Sequence, residues 1–330
     1  MNKIVLIIPL LVSFFVTLFV IPLWIRKVTF GKIVGRDVHK VNYVGVPEMG
    51  GITVMTGFLV GILLFVGLNT YLFRTYLTSL QVLAMLVSIL IAVIIGLVDD
   101  SLGWKIGLQH YQKPILTIAA AMPIVVLNIG HSSMSLPLLG EVELGLIYPF
   151  VIVPIAIVGA SNGFNMIAGY NGLEAGMGSI MLLTLGLIAF KGGDVWTFFI
   201  ATAMLFSLLA FLTYNYYPAK IFPGDTMTYP VGALIAIIAI MGNLEKAGVI
   251  LFIPYFVELL LKIRGRFKKE SFARVMDDGS LCLRYQKVYG LEHVAIKIIS
   301  KFRKAKETTV VWSLWGLEII MGSIAYLVYL

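Results

Sequence analysis

Apolar and polar stretches alternate along this chain in a pattern that predicts a series of membrane-crossing helices. Ten apolar runs can be marked, and a helix needs ~20 such residues to cross a bilayer. The fourth, fifth and eighth runs are short, so flanking semi-polar residues must complete them. The runs span residues 4–25, 50–68, 80–98, 115–129, 144–161, 175–190, 195–214, 226–241, 247–261 and 309–329.

Composition supports the same interpretation. The 330 residues are 59% hydrophobic and 13% charged, with a mean hydropathy of +0.96, whereas a soluble domain has about 25% charged residues. The first run ends in Arg26-Lys27 without a small-residue cleavage site, so it predicts a first span rather than a signal peptide. Cys282 is the single cysteine, which excludes an internal disulfide. We predict an all-α membrane protein with ten transmembrane helices, residues 1–330 forming one integral-membrane domain.

Basic residues are distributed unevenly between the two sets of loops. With ten spans, 21 of the 25 Lys and Arg residues fall in one set. The positive-inside rule places that set in the cytoplasm and both termini outside. Orientation and the anionic leaflet explain the net charge of +8, so no nucleic-acid partner is needed. The cytoplasmic set comprises 26–49, 99–114, 162–174, 215–225 and a 47-residue basic segment, 262–308.

Four polar clusters lie at this same predicted face. Asp99-Asp100 ends the third run, the stretch 162–174 joins the fifth and sixth, residues 222–225 precede the eighth, and the basic segment follows the ninth. Unsatisfied polar groups in hydrocarbon cost several kcal/mol, so such residues are not placed near a bilayer by default. Their convergence predicts an active site at the cytoplasmic face.

The carboxylates of these clusters indicate cation chemistry. Adjacent Asp99 and Asp100 repel each other unless a cation or protons relieve the repulsion, although two solvated charges at a helix end would also explain them. Asp225 opens a predicted helix and is a candidate N-cap, a metal ligand or both. Carboxylate and amide oxygens, such as those of Asn162 and Asn165, which would share a helix face, suit hard cations such as Mg²⁺ or Mn²⁺.

Basic side chains near these clusters are candidates for holding phosphate. Mg²⁺ usually accompanies phosphate groups, and Lys or Arg neutralises their remaining charge. Candidates are Lys113, Arg264 and Arg266, although the two arginines also fit an ordinary juxtamembrane basic cluster. The residues therefore indicate a metal-assisted site for a phosphorylated substrate.

Two other classes of protein remain open from these residues alone. A cation transporter would use Asp99, Asp100 and Asp225 as its translocation site, but these carboxylates lie at span ends rather than at the midplane. A non-catalytic membrane scaffold is the other alternative.

Three motifs follow one another along the chain: Gly96-Leu97-Val98-Asp99-Asp100, Asn162-x-x-Asn165-x-x-Ala168-Gly169-x-Asn171-Gly172-Leu173-Glu174 and Phe222-x-Gly224-Asp225-Thr226. In this order they resemble the motifs of the polyprenyl-phosphate N-acetylhexosamine-1-phosphate transferases. Pro47-Glu48-Met49-Gly50-Gly51 is also similar to that family's first cytoplasmic loop. The resemblance covers nearly all of the chain, including the ten-span layout.

One branch of the family is favoured. The stretch 168–174 and the Arg264-Gly265-Arg266 run resemble the dolichyl-phosphate N-acetylglucosamine-phosphotransferases of eukaryotes and archaea. The bacterial peptidoglycan branch carries a histidine cluster in its last cytoplasmic loop, whereas residues 262–308 contain only His293. The expected location is an archaeal cell membrane, or the endoplasmic reticulum of a eukaryote.

The resemblance implies transfer of GlcNAc-1-phosphate from UDP-GlcNAc to a membrane polyprenyl (dolichyl) phosphate, with release of UMP, as the first lipid-linked step of N-glycan-type assembly. Another UDP-sugar, or undecaprenyl phosphate in cell-envelope polymer synthesis, is the alternative within the family. The expected partners are these two substrates and the lipid bilayer, and a homodimer is compatible with them.

The resemblance also assigns roles to residues. Mg²⁺, or Mn²⁺, would bind Asn165 and Asp225, and Asp99, Asp100 and Lys113 would be catalytic. Asp99 and Asp100 would position or deprotonate the lipid phosphate. Gly169 and Asn171, with Phe222 stacking, would hold the uracil, and the two arginines would bind phosphate or sugar. The full substrate-binding set is Glu48, Asn162, Gly169, Asn171, Glu174, Phe222, Arg264 and Arg266.

The charge distribution makes a testable prediction of topology. In a Cys282→Ser background, a cysteine introduced near Lys301 is expected to react with a membrane-impermeant thiol reagent only from the cytoplasmic side. A cysteine near His131 is expected to react only from the opposite side. Labelling of both positions from one side would contradict the predicted orientation.

Overall fold

The fold is mostly helical. The computed structural model describes residues 3–73, 79–103, 107–130, 133–136 and 140–330. Arg74, Lys105 and His131, which enter the charge count and the topology prediction, lie outside these ranges. The helices are α1 (Lys3–Phe30), α2 (Gly51–Leu68), α3 (Ser79–Leu102), α4 (Gln112–Val126), α5 (Val153–Met166), α6 (Leu173–Lys191), α7 (Val195–Asn215), α8 (Asp225–Met241), α9 (Glu245–Leu251), α10 (Ile253–Arg264), α11 (Leu291–Ile299) and α12 (Glu307–Val328).

Short antiparallel hairpins interrupt the helices in the described part of the chain, and the hydrophobic pattern did not predict them. Their strands are two to four residues long, too short to show a clear alternation of polar and apolar positions. The pairs are β1 (Val34–Arg36) with β2 (Gly45–Pro47), β3 (Ser133–Leu136) with β4 (Gly140–Glu143), and β5 (Arg274–Val275) with β6 (Leu281–Cys282).

Each of the ten apolar runs coincides with a helix, with two departures in detail. The fifth begins as a π-helical turn, Tyr148–Ile152, before α5. The ninth is divided at Phe252 into α9 and α10, and Pro254 lies in the first turn of α10, where its missing N–H costs nothing. In addition, α11 forms within the basic segment, where we predicted no helix.

Seven helices in the described ranges are long and apolar enough to cross a membrane, and α4 and α8 are apolar but shorter. The protein is therefore a helical membrane protein with several spans. The seven stretches are Ile7–Phe30, Gly51–Leu72, Leu80–Leu102, Tyr148–Met166, Leu173–Lys191, Val195–Asn215 and Glu307–Val328.

Helix α8 lies at the centre of the bundle. All fifteen residues from Thr226 to Ile240 are buried, as expected for a helix that is apolar all round. It packs against α2, α3, α5, α6 and α7. Close approach at its first turn depends on glycine: a Cβ at Gly51 would clash with the Thr226 and Met227 backbone, and one at Gly96 with the Asp225 backbone. The start of α8 is thereby held against the end of α3 and the start of α2.

This close packing predicts that Gly96→Ala destabilises the protein, because the added methyl group has only backbone to displace. Overpacking of this kind costs roughly 1–3 kcal/mol. Thermal unfolding of the purified protein should show a lower midpoint than the wild type. Gly67→Ala is the matched control, since a Cβ at Gly67 in α2 meets no atom within 4 Å. An equal response of the two variants would contradict the prediction.

Candidate active site

Asp100 connects the end of α3 to the start of α8. Its Oδ1 accepts a hydrogen bond from the Asp225 N–H at 2.8 Å, and its Oδ2 accepts one from the Thr226 N–H at 3.0 Å. The first N–H groups of a helix have no partner within the helix, and a carboxylate there also interacts favourably with the helix dipole. Gly224 occupies the N-cap position, so the N-cap role considered for Asp225 is wrong. Asp100 supplies the cap from another helix.

Lys113 joins the two remaining carboxylates. From the first turn of α4, its Nζ lies 2.5 Å from Asp99 Oδ2 and 3.1 Å from Asp225 Oδ2. Asp99 Oδ1 also accepts a hydrogen bond from the Leu108 N–H. Opposite charges at this distance favour the ionised form of each group. One ammonium therefore compensates carboxylates from two different helices.

Asn165 completes the cluster from the last turn of α5. Its Nδ2 donates to Asp225 Oδ2 at 3.2 Å, and its Oδ1 accepts from Thr228 Oγ1 at 3.0 Å. One turn earlier, Asn162 donates to Thr117 Oγ1 at 2.9 Å. We name the group formed by Asp99, Asp100, Lys113, Asn165 and Asp225 the acidic site.

The acidic site has the donor atoms that a hard cation prefers. Asp99 and Asp225 offer carboxylate oxygens, and Asn165 offers an amide oxygen, the set found around Mg²⁺ and Mn²⁺. Two features constrain such binding. The Lys113 ammonium lies between the two carboxylates, and Asn165 turns its amide nitrogen toward Asp225. Lys113 would have to withdraw from Asp225, and the Asn165 amide would have to rotate, before both oxygens faced one ion.

Main-chain hydrogen bonds hold the loop between β2 and α2, residues 48–50, against the segment that leads into α8. The Phe222 N–H donates to the Pro47 carbonyl at 2.7 Å, and the Gly50 N–H donates to the Phe222 carbonyl at 2.9 Å. Glu48 lies in this loop, outside the predicted spans. Burial, with a contribution from the Asp100 charge, raises the pKa of its carboxyl from 4.5 to about 7. The loop therefore brings Glu48 and Phe222 together near Asp100.

In the loop between α5 and α6, Gly169 is exposed and the Asn171 side chain is buried. Gly169 is exposed with φ +103, and a Cβ there would clash with the Phe272 ring, so glycine is needed on both counts. Its N–H donates to Glu174 Oε1 at 2.9 Å. Asn171 is 3% exposed, and its amide bonds to Asp37, Glu307 and the Ala219 N–H. These contacts show a structural role for Asn171, and its role in uracil binding stays a prediction.

The two arginines lie apart from these contacts. Arg264 is the last residue of α10, and Arg266 follows Gly265 with φ +52. Both side chains are exposed, and neither makes a hydrogen bond or ion pair with a described residue. The structure does not bring them to the acidic site, so their role toward substrate stays a prediction.

Sequence reasoning missed four residues that contact Asn171 or lie around it: the buried Asp37, His39 and Glu307 and the half-buried Lys40. They come from the loop after β1 and from the start of α12. The stretch Asp37-Val38-His39-Lys40 offered a weak signal, as three polar or charged side chains in a short loop. Nothing in the sequence pattern pairs it with Glu307, which is 267 residues away from Lys40.

The fold and the acidic site define a multi-span membrane protein with charged groups gathered at its helix ends. Glycosyl transferase family 4 matches residues 82–243, a range that includes α3 except for its first three residues, the whole of α4 to α8 and every residue of the acidic site. The chain is also 38% identical over 329 residues to a protein of Saccharolobus solfataricus, covering 98% of this chain and 97% of that relative. This chain belongs to Glycosyl transferase family 4.

The relatives' names describe related activities. The Saccharolobus protein and one from Sulfolobus acidocaldarius, 36% identical over 88% of this chain and 86% of the relative, are named as UDP-N-acetylglucosamine–dolichyl-phosphate N-acetylglucosaminephosphotransferases. A Bacillus subtilis protein, 29% identical over 87% of this chain and 78% of its own length, is named as an undecaprenyl-phosphate N-acetylglucosaminyl 1-phosphate transferase. The resemblance seen in the motifs is confirmed.

The capping role of Asp100 predicts a graded loss of stability. Asp100→Ala removes both acceptors from the start of α8, and loss of an N-cap costs roughly 0.5–2 kcal/mol. Asp100→Asn retains one oxygen and should lose less. Thermal unfolding midpoints should therefore fall in the order wild type, Asp100→Asn, Asp100→Ala. Wild-type stability in Asp100→Ala would contradict the capping role.

Proposed function

We propose that this protein transfers GlcNAc-1-phosphate from UDP-GlcNAc to a membrane polyprenyl phosphate, with dolichyl phosphate as the acceptor. The observation that carries the proposal is the acidic site itself, in which Lys113 joins Asp99 and Asp225 at the meeting point of α3, α4 and α8. The names of the archaeal relatives describe the same transfer. A phosphate oxygen of the lipid attacks the sugar-bearing phosphorus of UDP-GlcNAc, and the bond to the UMP oxygen breaks.

Helix ends are a suitable place for this reaction. The nucleotide sugar is soluble and the acceptor's tail lies in the bilayer, so the two must meet at a membrane surface. Lys113 offers an ammonium that a phosphate can engage in place of a carboxylate. The second pKa of a phosphate monoester is about 6, so the acceptor is largely a dianion at neutral pH. A base is therefore not needed to remove a proton from it, and Asp99 would position the lipid phosphate through its ion pair with Lys113.

Asp225 and Asn165 would hold Mg²⁺, or Mn²⁺, which would neutralise charge on the diphosphate and polarise the attacked phosphorus. Support for these ligands comes from their oxygen donors and from the proximity of the two side chains, although the amide nitrogen of Asn165, which now lies 3.2 Å from Asp225 Oδ2, would have to give way to Oδ1. Asp100 fixes the position of Asp225 by capping α8. Thr228 holds Asn165 Oδ1 in the present orientation and would release it when the amide rotates. The protein's own contribution is thus to place these oxygens on rigid helix ends.

The nucleotide end of the substrate is proposed to lie against the β2–α2 loop, which contains Glu48, and the α5–α6 loop. The exposed backbone of Gly169 allows close approach of a base, and the half-buried Phe222 ring would stack on it. Glu48 lies in the loop that pairs with Phe222. Arg264 and Arg266 are exposed and unpaired among the described residues, so both are free to bind phosphate or sugar.

The topology proposed for this activity is ten spans with both termini outside and the acidic site at the cytoplasmic face. Support comes from the coincidence of ten apolar runs with helices and from the bias of basic residues. The lengths of α4 and α8 require neighbouring residues to complete those spans. An archaeal cell membrane is the proposed location, and the archaeal relatives support it. A homodimer remains part of this proposal.

One alternative activity within the family is supported by a specific observation. The Bacillus subtilis relative is named for transfer to undecaprenyl phosphate, so the acceptor lipid is the point on which the proposals differ. Purified protein should be offered dolichyl phosphate and undecaprenyl phosphate in parallel.

The cation-transporter alternative is tested by a different measurement, because it predicts cation flux in liposomes without any UDP-sugar.

The metal proposal predicts that Asp225→Asn abolishes transfer and that excess Mg²⁺ does not restore it. The carboxylate would lose the charge that binds the cation and balances Lys113. Transfer is measured with radiolabelled UDP-GlcNAc and dolichyl phosphate, with and without a chelator. Asp277→Asn, at an exposed carboxyl in the turn between β5 and β6, is the matched control and should retain activity. Wild-type activity that survives chelation would contradict the metal proposal.

A further inference from the structure

A buried polar network lies where five segments of the chain meet. It consists of Asp37, His39, Lys40, Asn171 and Glu307, which we name the Glu307 hub. The Lys40 Nζ lies 2.8 Å from Glu307 Oε2 and 3.1 Å from Asp37 Oδ2. The hub joins the loop after β1 to the α5–α6 loop and to the start of α12. Contacts of its members extend to residues 217–219 and 272–273.

Asn171 uses both N–H groups of its side-chain amide within the hub. Its Nδ2 donates to Glu307 Oε1 at 2.6 Å and to Asp37 Oδ2 at 3.2 Å, and its Oδ1 accepts from the Ala219 N–H at 2.6 Å. Its backbone N–H donates to the same Glu307 Oε1 at 2.8 Å. Glu307 thus fixes both the backbone and the side chain of this loop residue.

His39 and Lys40 hold the remaining sides of the loop. The His39 ring stacks on Tyr170, with ring centroids 4.0 Å apart, and its Nε2 accepts from the Ala273 N–H at 3.3 Å. Burial lowers the pKa of His39 to about 4, so the ring is neutral at pH 7. The Lys40 ammonium lies 4.0 Å from the centre of the Tyr217 ring. The loop from Gly169 to Asn171 is therefore held on each side by another segment.

The hub is not a metal site in this arrangement. Ligand atoms of Asp37, His39 and Glu307 lie within 4.8 Å of one another, a spacing that a metal ion could use. The Lys40 ammonium and the Asn171 amide already bind the carboxylate oxygens. A charge-assisted pair buried in this way acts by fixing geometry, since breaking it would leave a buried charge without compensation.

We propose that Glu307, held in place by Lys40, is a positioning residue for nucleotide-sugar binding: through the backbone and side chain of Asn171 it fixes the loop whose exposed Gly169 backbone lies against the nucleotide end of UDP-GlcNAc. This inference rests on the proposed function. The acidic site stands on other helices, α3, α4, α5 and α8. Damage to the hub should therefore weaken binding of the nucleotide sugar and leave the chemical step and the lipid acceptor largely unaffected.

The test compares variants of the full-length protein by steady-state kinetics and by calorimetric binding of UDP-GlcNAc. Glu307→Ala is expected to raise the KM for UDP-GlcNAc by about 10-fold or more, because it removes hydrogen bonds to a charged group. The kcat at saturating UDP-GlcNAc and the KM for dolichyl phosphate should stay within about threefold of the wild type. Glu307→Gln retains Oε1 as an acceptor for Asn171 and should restore part of the affinity.

Glu318→Gln is the matched control. Glu318 is a fully buried carboxyl on the same helix, three turns further on, and both its oxygens lack a partner among the described residues. Its replacement should not change the KM for UDP-GlcNAc. If Glu307→Ala does not fold, Glu307→Gln and Lys40→Met are measured in its place, with smaller increases in KM expected.

The outcomes separate this inference from the proposed function. A wild-type protein that neither binds nor turns over UDP-GlcNAc overturns the proposed function and the inference with it. Wild-type turnover combined with an unchanged KM in the Glu307 variants overturns the inference alone. Loss of folded protein in all three variants, or a fall in kcat without a change in KM, also overturns it.

Discussion

Charge compensation at the start of α8 is the constraint on which the arrangement of this protein depends. Asp99, Asp100 and Asp225 meet there in a largely apolar bundle, and an uncompensated buried charge would cost several kcal/mol. Two backbone N–H groups of α8 bind Asp100, and the Lys113 ammonium binds the other two. Helices α3, α4 and α8 can satisfy these groups only when their ends lie together. The glycine contacts at Gly51 and Gly96 make that approach sterically possible.

The helices could be predicted from the sequence because each apolar run carries its own signal. A span needs a long stretch of apolar residues whatever its neighbours are, and all ten runs coincide with helices. Boundaries and interruptions carry weaker local signals. The division of the ninth run at Phe252 and the helix α11 were missed, since α11 is short, amphipathic and surrounded by basic residues. The three hairpins were missed because strands of two to four residues show almost no periodicity.

The candidate site was predictable to the extent that its residues carry recognisable chemistry. Asp99, Asp100, Asn165 and Asp225 stood out as polar groups beside apolar runs, and the structure brings them together with Lys113. Their individual partners were not predictable. Asp225 was considered as a cap for its own helix, whereas Asp100 caps that helix from 125 positions away. Asn171 carried a prediction of uracil binding, but its amide bonds to Asp37 and Glu307, each more than 130 positions distant. A single sequence contains no signal that pairs residues so far apart.

The acidic site and the Glu307 hub are both charged clusters, but their side chains differ in exposure. In the acidic site the Asp225 and Lys113 side chains are 18% and 21% exposed, so a substrate phosphate can reach them and replace existing contacts. In the Glu307 hub the Asp37 and Glu307 carboxylates are only 3% and 4% exposed, although the Lys40 side chain is 16% exposed, and the carboxylate oxygens are occupied by Lys40 and Asn171. The acidic site also has three carboxylates for one ammonium, whereas the hub has two. This difference supports the proposal that the acidic site binds a cation together with a phosphorylated ligand, and that the hub acts by holding the α5–α6 loop in position.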